Sequence, residues 1–292
     1  MTRYANIAVL LTTHNGGQNL KSQLATLLKQ MKVNVHIFVS DDGSSDCTLE
    51  IVREFALETG KVTIINSVKT FGSSALNFYY LVENVDVSKF DFVAFSDQDD
   101  VWFENKLYES VKQMRLNQCV GYSADVIAYW PQANKKKLVR KSGHQRKYDH
   151  IFEPPGPGCT HVLSRVEFQG FQGFVQNHRC IVEKVEAHDW LIYAYFRESQ
   201  HAWFIHNVPQ MFYVQHGKNA VGANYGLSAF LTRLKKVNTG WYHQQVALIM
   251  SLFGYQHKRF CRANFILKNI TQFRRNLIQS ILVAFLLFIR RA

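Results

Sequence analysis

No acidic residue follows Glu198. Residues 199–292 carry 12 Lys and Arg, while residues 1–198 hold 22 basic and 22 acidic groups. The formal net charge of +12 therefore belongs wholly to the C-terminal third. That excludes a uniformly basic nucleic-acid-binding protein and leaves a neutral body with a basic end, whose partner is anionic. Cysteine is scarce and odd in number: Cys47, Cys119, Cys159, Cys180 and Cys261 show no metal-ligand spacing. Free, core-type thiols in a reducing compartment are the expectation. Proline occurs five times. No Gly-x-Gly-x-x-Gly follows the first apolar run, and no Gly-Lys-Ser/Thr occurs, which disfavours dinucleotide dehydrogenases and P-loop NTPases. No leader precedes the first strand-like segment, so a cytoplasmic setting is expected. The one long apolar run, Leu277–Ile289, is interrupted by Gln279 and Ser280 and bracketed by Arg274, Arg275, Arg290 and Arg291. As a helix it reaches about 20 Å against roughly 30 Å of hydrocarbon, too short to span comfortably.

What is present is a substantial core and a regular alternation. Hydrophobic residues make up 47% of 292, enough for one large domain or two small ones. Strands are expected over Asn6–Thr12, Val35–Ser40, Val62–Asn66, Phe90–Ser96 and Val120–Tyr129. Helices are expected up to Met31 and over Cys47–Glu58, Ser74–Asn84 and Asn105–Asn117, with Asp46 as an N-cap and Glu50 near the capping-box position. Apolar strands alternating with helices imply a mostly parallel sheet covered on both faces. Ligands bind such sheets beyond the carboxyl ends of the strands. Three polar clusters lie there: Thr12–His14, Asp41-Asp42, and Asp97-Gln98-Asp99-Asp100. Asn134–Lys147 is basic and turn-rich and reads as a mobile surface loop.

Asp97 and Asp99, two apart in an extended chain, face one side and suit Mg²⁺ or Mn²⁺ gripping a diphosphate. The alternative is an acidic helix N-cap cluster ahead of Val101. Asp42 suits a nucleobase imide or a ribose; one carboxylate of the Asp41-Asp42 pair could instead close an Asx turn. Near the C-terminus, Ile266, Ile270, Phe273, Leu277 and Ile281 recur at helical spacing, opposite Lys268, Gln272, Arg275 and Gln279. That pattern predicts a basic amphipathic helix in a membrane interface. The competing occupants of its apolar face are the domain core and a second copy in a homo-oligomer.

Three segments in this order carry a resemblance: Ala8–Asn15, Val39–Asp46, and Phe95-Ser96-Asp97-Gln98-Asp99-Asp100-Val101-Trp102. Together they resemble the nucleotide-sugar-binding half of family-two glycosyltransferases of the GT-A fold, over about Ile7–Gly222. The Ser-Asp-Gln-Asp-Asp-Val-Trp form and Gly72–Phe78 are most similar to a bacterial rhamnosyltransferase-like branch. The resemblance implies a GT-A catalytic domain over residues 1–225, with a nucleotide-sugar half to about 130 and an acceptor half to 225. A helical, basic, membrane-associating region would fill 226–292.

It implies that Thr12, His14, Asn15, Asp41, Asp42, Asn77, Asp97 and Gln98 hold the nucleotide sugar. Asp97 and Asp99 would bind the metal, with His216 as a further ligand. His188-Asp189-Trp190 resembles the family's base motif, with Asp189 as the base. Gln215–Asn219 resembles the segment closing on the pyrophosphate, which brings in His216 and Lys218. Gly158, Cys159, His188 and Trp190 would line the cleft. Trp102, Trp190 and Tyr193 could stack on sugar or belong to the core.

An inverting transfer needs a base for the acceptor hydroxyl and cationic stabilisation of the departing diphosphate. The expected partners are a dTDP- or UDP-linked donor, first dTDP-rhamnose, and a glycan acceptor that is lipid-linked or of lipopolysaccharide type. A peripheral position on the inner face of the plasma membrane follows, in bacterial surface polysaccharide synthesis. A UDP-galactose or UDP-glucose enzyme is the rival within the class. A non-catalytic nucleotide-sugar or polyanion-binding module is the rival outside it. No nucleic-acid motif marks the basic third.

Overall fold

Strand β1 (Ala5–Thr13) is buried almost along its whole length, as a strand covered on both faces must be. The computed structural model describes residues 3–215 and 240–289. β1 pairs in parallel with β2 (Val33–Asp41) on one side and β4 (Phe92–Ser96) on the other. Helices α1 (Gly17–Leu28), α2 (Thr48–Thr59) and α3 (Ser74–Asn84) alternate with these strands and with β3 (Val62–Ile64). The N-cap position of the second helix falls on Cys47, without a side-chain cap, and not on Asp46 as expected; the Asp46 carboxylate, one residue earlier, accepts the Thr48 N–H at 3.0 Å and the Gly17 N–H of α1 at 3.1 Å.

The main sheet has seven strands in the order β10-β6-β9-β4-β1-β2-β3, adding β6 (Gly121–Ala124), β9 (Val162–Ser164) and β10 (Trp203–His206). Only β9 runs against its neighbours. A second sheet, β5-β11-β7-β8, joins β5 (Val101–Trp102), β7 (Val126–Trp130), β8 (Lys135–Val139) and β11 (Met211–Val214). The fold is thus mixed α/β with a mostly parallel central sheet flanked by helices. The remaining helices of this part are α4 (Lys106–Leu116), α5 (Asp149–Phe152), α6 (Arg165–Asn177), α7 (Arg179–Val182) and α8 (His188–Glu198).

Two expectations change here. Val120–Tyr129 is not one strand: it changes sheet at Asp125, whose carboxylate accepts the N–H groups of Lys141 and Ser142 at 2.6 and 2.7 Å. Asn134–Lys147 is not a mobile loop. Its first half is β8, paired antiparallel with β7, and its second half is tied down by Asp125 and by Gln145, which donates to the Trp203 carbonyl at 2.6 Å. Three consecutive lysines, Lys135–Lys137, on an edge strand look like a solvated loop in sequence, because charge is also how exposed edges are kept soluble.

The C-terminal segment comprises α9 (Trp241–Leu252), α10 (His257–Phe260), α11 (Ala263–Asn269) and α12 (Leu277–Ile289). The expected single amphipathic helix through 266–281 is broken by a turn over 270–276. Ile266 and Phe273 are buried in a cluster with Tyr148, Phe152 and Trp190. Ser280, which interrupts the apolar run, is fully buried; its hydroxyl accepts the Phe273 N–H at 3.1 Å and donates to the Ile270 carbonyl at 2.7 Å. Arg275 does not face outward. It is 5% exposed and pairs with Asp149 at 3.0 Å and Glu153 at 3.4 Å, while Arg274 pairs with Glu153 at 3.5 Å. Part of the tail's positive charge is therefore neutralised by acids of the body. Among the described residues no helix is long and apolar enough to cross a membrane.

Candidate active site

The carboxyl ends of β1, β2 and β4 meet, as the sequence placed them. Gln98 and His14 form a reciprocal pair: the His14 N–H donates to Gln98 Oε1 at 2.9 Å and Gln98 Nε2 donates to the His14 carbonyl at 3.0 Å. A Cβ on Gly16 would lie 2.2 Å from Gln98 Oε1, so a larger residue there would push the Gln98 side chain off its bonds to His14. His14 Nδ1 lies 2.9 Å from the Asp42 carbonyl, and Asn15 holds the second loop through the Ser45 N–H at 2.9 Å.

Asp41 and Asp42 divide the work. Asp41 accepts from Thr13 Oγ1, the Ser44 N–H and the Ser44 hydroxyl at 2.6–2.8 Å, the turn-forming use of an Asp. Asp42 is buried and accepts the Phe71 N–H, which draws the loop after β3 over this turn. Thr70 packs on Gly43 (φ +72°), where a Cβ would stand 2.4 Å from its methyl carbon. Thr12 and Asn77 are buried at the same edge. Asn77 donates to the Ser40 carbonyl at 3.0 Å and leaves its Oδ1 without a partner.

The acidic quartet behaves differently from an extended strand. The chain bends over Asp97–Asp100. The bend turns Asp97 and the buried Asp100 toward Cys159, so that one ligand atom of each lies within 4.8 Å of the others. Burial, with Asp99 and Asp189 beside it, drives the Asp97 carboxyl well upward. Burial and the charges of Asp97 and Asp99 do the same to Asp100. Crowded carboxylates of this kind are relieved by a divalent cation, so the oxygens of this set fit Mg²⁺ or Mn²⁺, while the Cys159 thiol, kept protonated by burial, does not add a ligand for a hard ion. Beneath them, Lys106 is fully buried, its Nζ 3.3 Å from the Trp102 ring centre; burial lowers it to about 7. Tyr213 of β11 feels the same acids.

Asp189 lies in the first turn of α8 and is half-buried. Its Oδ1 accepts the Trp190 N–H at 2.8 Å. Burial raises its carboxyl to about 6, against the pull of that N–H and of Lys141. Gly158 makes the fit: a Cβ there would stand 2.4 Å from His188 Nε2 and 3.4 Å from Asp189 Cβ. His188 stacks on Phe78 at 4.0 Å and, held neutral by burial at about 3, serves as packing behind Asp189.

Cys159 is fully buried against the acids, and Gly158 is buried beside it. Trp190 is not a cleft residue: it is 3% exposed and donates to the His150 carbonyl at 2.8 Å. Trp102 and Tyr193 are core as well. His216 and Lys218 lie outside the described residues. Asp100, Lys106, Lys141 and Tyr213 were missed as site residues. Asp100 had a signal, as the fourth polar position of its cluster; the others had none without the tertiary packing.

With this geometry in place, the likeness to known proteins is specific. Residues 8–173 match the family Glycosyl transferase family 2. The chain is 38% identical to a dTDP-rhamnosyl transferase (RfbG) of Shigella flexneri over 240 residues, covering 82% of this chain and 83% of that one. It is 25% identical over 168 residues to a UDP-Glc:alpha-D-GlcNAc-diphosphoundecaprenol beta-1,3-glucosyltransferase of Escherichia coli, covering 56% and 62%. In fold it is similar to S. aureus TarS 1-349 in complex with UDP-GlcNAc, with a TM-score of 0.57, 14% identity and coverage of 97% and 81%. A Pyrobaculum calidifontis mannosyltransferase in complex with GDP-Man and Mn²⁺ matches with a TM-score of 0.53, 13% identity and coverage of 97% and 80%. The matched segment holds the three converging loops, and the chain belongs to glycosyl transferase family 2.

Proposed function

We propose that this glycosyltransferase moves L-rhamnose from dTDP-rhamnose, with inversion, onto a lipid-linked or lipopolysaccharide-type glycan in bacterial surface polysaccharide synthesis. The observation that carries the donor is the 38% identity with a dTDP-rhamnosyl transferase over 82% of the chain. The reading as a UDP-glucose or UDP-galactose enzyme draws support from the E. coli relative, at lower identity and coverage.

Thr12, His14, Asn15, Asp42 and Asn77 bind the nucleoside, while Asp41 and Gln98 brace the loops that carry it. Asp189 takes the proton as the acceptor oxygen bonds to the anomeric carbon and the bond to the diphosphate breaks. Asp97 and Asp99, with Asp100 behind them, would hold Mg²⁺ or Mn²⁺, which supplies charge stabilisation to the departing diphosphate. His216 and Lys218 are assigned to that diphosphate on sequence alone. A screen of dTDP-rhamnose, UDP-glucose, UDP-galactose and UDP-N-acetylglucosamine for donor hydrolysis is expected to give fastest nucleotide release from dTDP-rhamnose. Faster release from a UDP sugar would replace the donor.

The terminal helix supports a peripheral membrane position on the cytoplasmic side. Ile278, Leu282 and Phe285 are 79, 56 and 57% exposed, while Val283, Ala284 and Leu287 pack inward. Such an apolar face in an acid-free segment suits an anionic lipid surface. Changing Ile278, Leu282 and Phe285 together to Ser is expected to reduce co-sedimentation with phosphatidylglycerol-containing vesicles at least tenfold, with thermal unfolding near that of the wild type. Unchanged co-sedimentation would remove the membrane contact.

A further inference from the structure

We infer that Cys159 gives the acidic centre a second, softer coordination set. A thiophilic divalent ion, Zn²⁺ or Cd²⁺, seats on one oxygen each of Asp97 and Asp100 and on the Cys159 sulfur. It thereby excludes Mg²⁺ or Mn²⁺, a consequence that rests on assigning the same acids to the hard ion.

Sheet register brings the groups together. β9 runs antiparallel to β4 with Ala94 opposite Val162, and the Phe95 N–H donates to the His161 carbonyl at 3.2 Å. Continuing that register sets Cys159 opposite Asp97. A tight turn over Gly158–Thr160 fixes the cysteine: the Thr160 N–H donates to the Pro157 carbonyl at 2.9 Å and the His161 N–H to the Gly158 carbonyl at 2.8 Å. Asp100 is held by β11, where its Oδ1 accepts the Val214 N–H at 3.3 Å. Its other oxygen, Oδ2, belongs to a side chain 1% exposed and has no hydrogen-bond partner. A buried carboxylate oxygen in that state carries a desolvation cost that a cation recovers. Lys106 does not answer the need: its Nζ lies over the Trp102 ring, also without a hydrogen-bond partner.

The third ligand decides the kind of ion. Mg²⁺ and Mn²⁺ are hard, prefer six oxygen ligands and gain nothing from a thiol. Zn²⁺ and Cd²⁺ bind sulfur, and three protein ligands with water in a fourth position suit them. Tetrahedral bonds of about 2.0–2.3 Å put ligand atoms roughly 3.3–3.8 Å apart. The atoms here lie within 4.8 Å of one another, so the site closes by at most about 1.5 Å. Among the described residues this is the single group of three such ligands. Asp97, the half-buried member, gives the ion its way in. As the sulfur–metal bond forms, the thiol proton passes to the buffer.

The test uses the full chain, stripped of metal by a chelator, in a background carrying Cys47→Ser, Cys180→Ser and Cys261→Ala. These changes remove the two exposed thiols and the one whose Sγ lies 3.6 Å from His257 Nδ1. Cd²⁺ is titrated against its sulfur-to-metal charge-transfer absorption, and Mn²⁺ against the paramagnetic resonance signal of the free ion. The background is expected to develop the Cd²⁺ band at one equivalent. Cys159→Ser should abolish the band and weaken Cd²⁺ at least about 10-fold, with Mn²⁺ affinity within about 2-fold. Asp100→Asn, which leaves the thiol in place, should weaken Cd²⁺ by a similar factor. Mn²⁺ at about 10 times its own Kd should raise the Cd²⁺ midpoint about 10-fold. No band in the background, a band that survives Cys159→Ser, an equal loss of Mn²⁺ in that variant, unchanged Cd²⁺ affinity in Asp100→Asn, or a Cd²⁺ midpoint indifferent to bound Mn²⁺ overturns the proposal. A Cys159-dependent band in a chain that binds no Mn²⁺ would support the softer set and remove the hard-ion assignment alone.

Discussion

Asp189→Asn is expected to lower turnover by about 10²–10⁴-fold, the usual contribution of a positioned base, with the donor KM little changed. The amide keeps the shape of the carboxylate and the site of the Trp190 N–H contact, but it cannot hold a proton. In the wild type the rate should rise with pH through about 6, where burial has placed this carboxyl. Below that value the base is already protonated; above it the group is poised, near neutral pH, to accept a proton from a sugar hydroxyl. The same burial predicts an opposite effect on stability. A carboxylate raised above its usual 3.8 binds its proton more tightly in the folded chain, so stability falls as pH rises from about 4 to 6. Asp189→Asn removes that cost and should raise the unfolding temperature at pH 7 while activity collapses, the trade-off expected of a strained active site. Steady-state kinetics with a donor-binding titration, and calorimetry at pH 4 and 7, check both halves. Turnover within 10-fold of the wild type would remove Asp189 as the base.

The sequence reading fares best where local pattern and position agree. β1 and β2 are near-continuous apolar runs with polar residues at their ends, and a parallel sheet brings those ends together whatever the loops do. The placement of Thr12–His14, Asp41-Asp42 and Asp97–Asp100 at one edge was legible for that reason. The roles within the edge were less so. Asp97 and Asp99 were expected to pair across an extended chain; the chain bends there, so Asp100 and Cys159 also converge on Asp97 while the charge of Asp99 stays beside it. Which of Asp41 and Asp42 closes the turn depends on the Ser44 contacts and on Phe71, nearly thirty residues away. The expectation of one amphipathic helix through the C-terminal segment failed for a physical reason. An apolar stripe at helical spacing fits a membrane or a protein core equally well, and one-signed charge favours the membrane only when its counter-charges are not elsewhere in the chain. Here Asp149 and Glu153, more than 120 residues upstream, hold Arg275, and no local window contains that pairing.

That pairing carries the largest expected change in stability. Arg275→Met is expected to cost about 3–5 kcal/mol, because it leaves buried acids without their partner. Asp149 is fully buried and accepts from Arg197, Arg275 and Tyr193 at 2.8–3.0 Å. Burial by itself would raise its carboxyl; the His150 hydrogen bond and the charges of Arg197 and Arg275 outweigh burial and hold it at about 2. A depressed carboxyl contributes stability that is complete above the unfolded value near 3.8 and is lost as pH falls through about 2. A shift of this size corresponds to about 2 kcal/mol. In Arg275→Met the folded value moves back toward the unfolded one, so the loss of stability between pH 4 and 2 should shrink. Urea unfolding of Arg275→Met, Asp149→Asn and the double variant separates the terms. The double variant should lose clearly less than the two single losses added, since removing both charges leaves neither unpaired. A loss below about 1 kcal/mol in Arg275→Met, or strict additivity, would mean that Arg275 is not what fastens the C-terminal segment to α5 and Glu153.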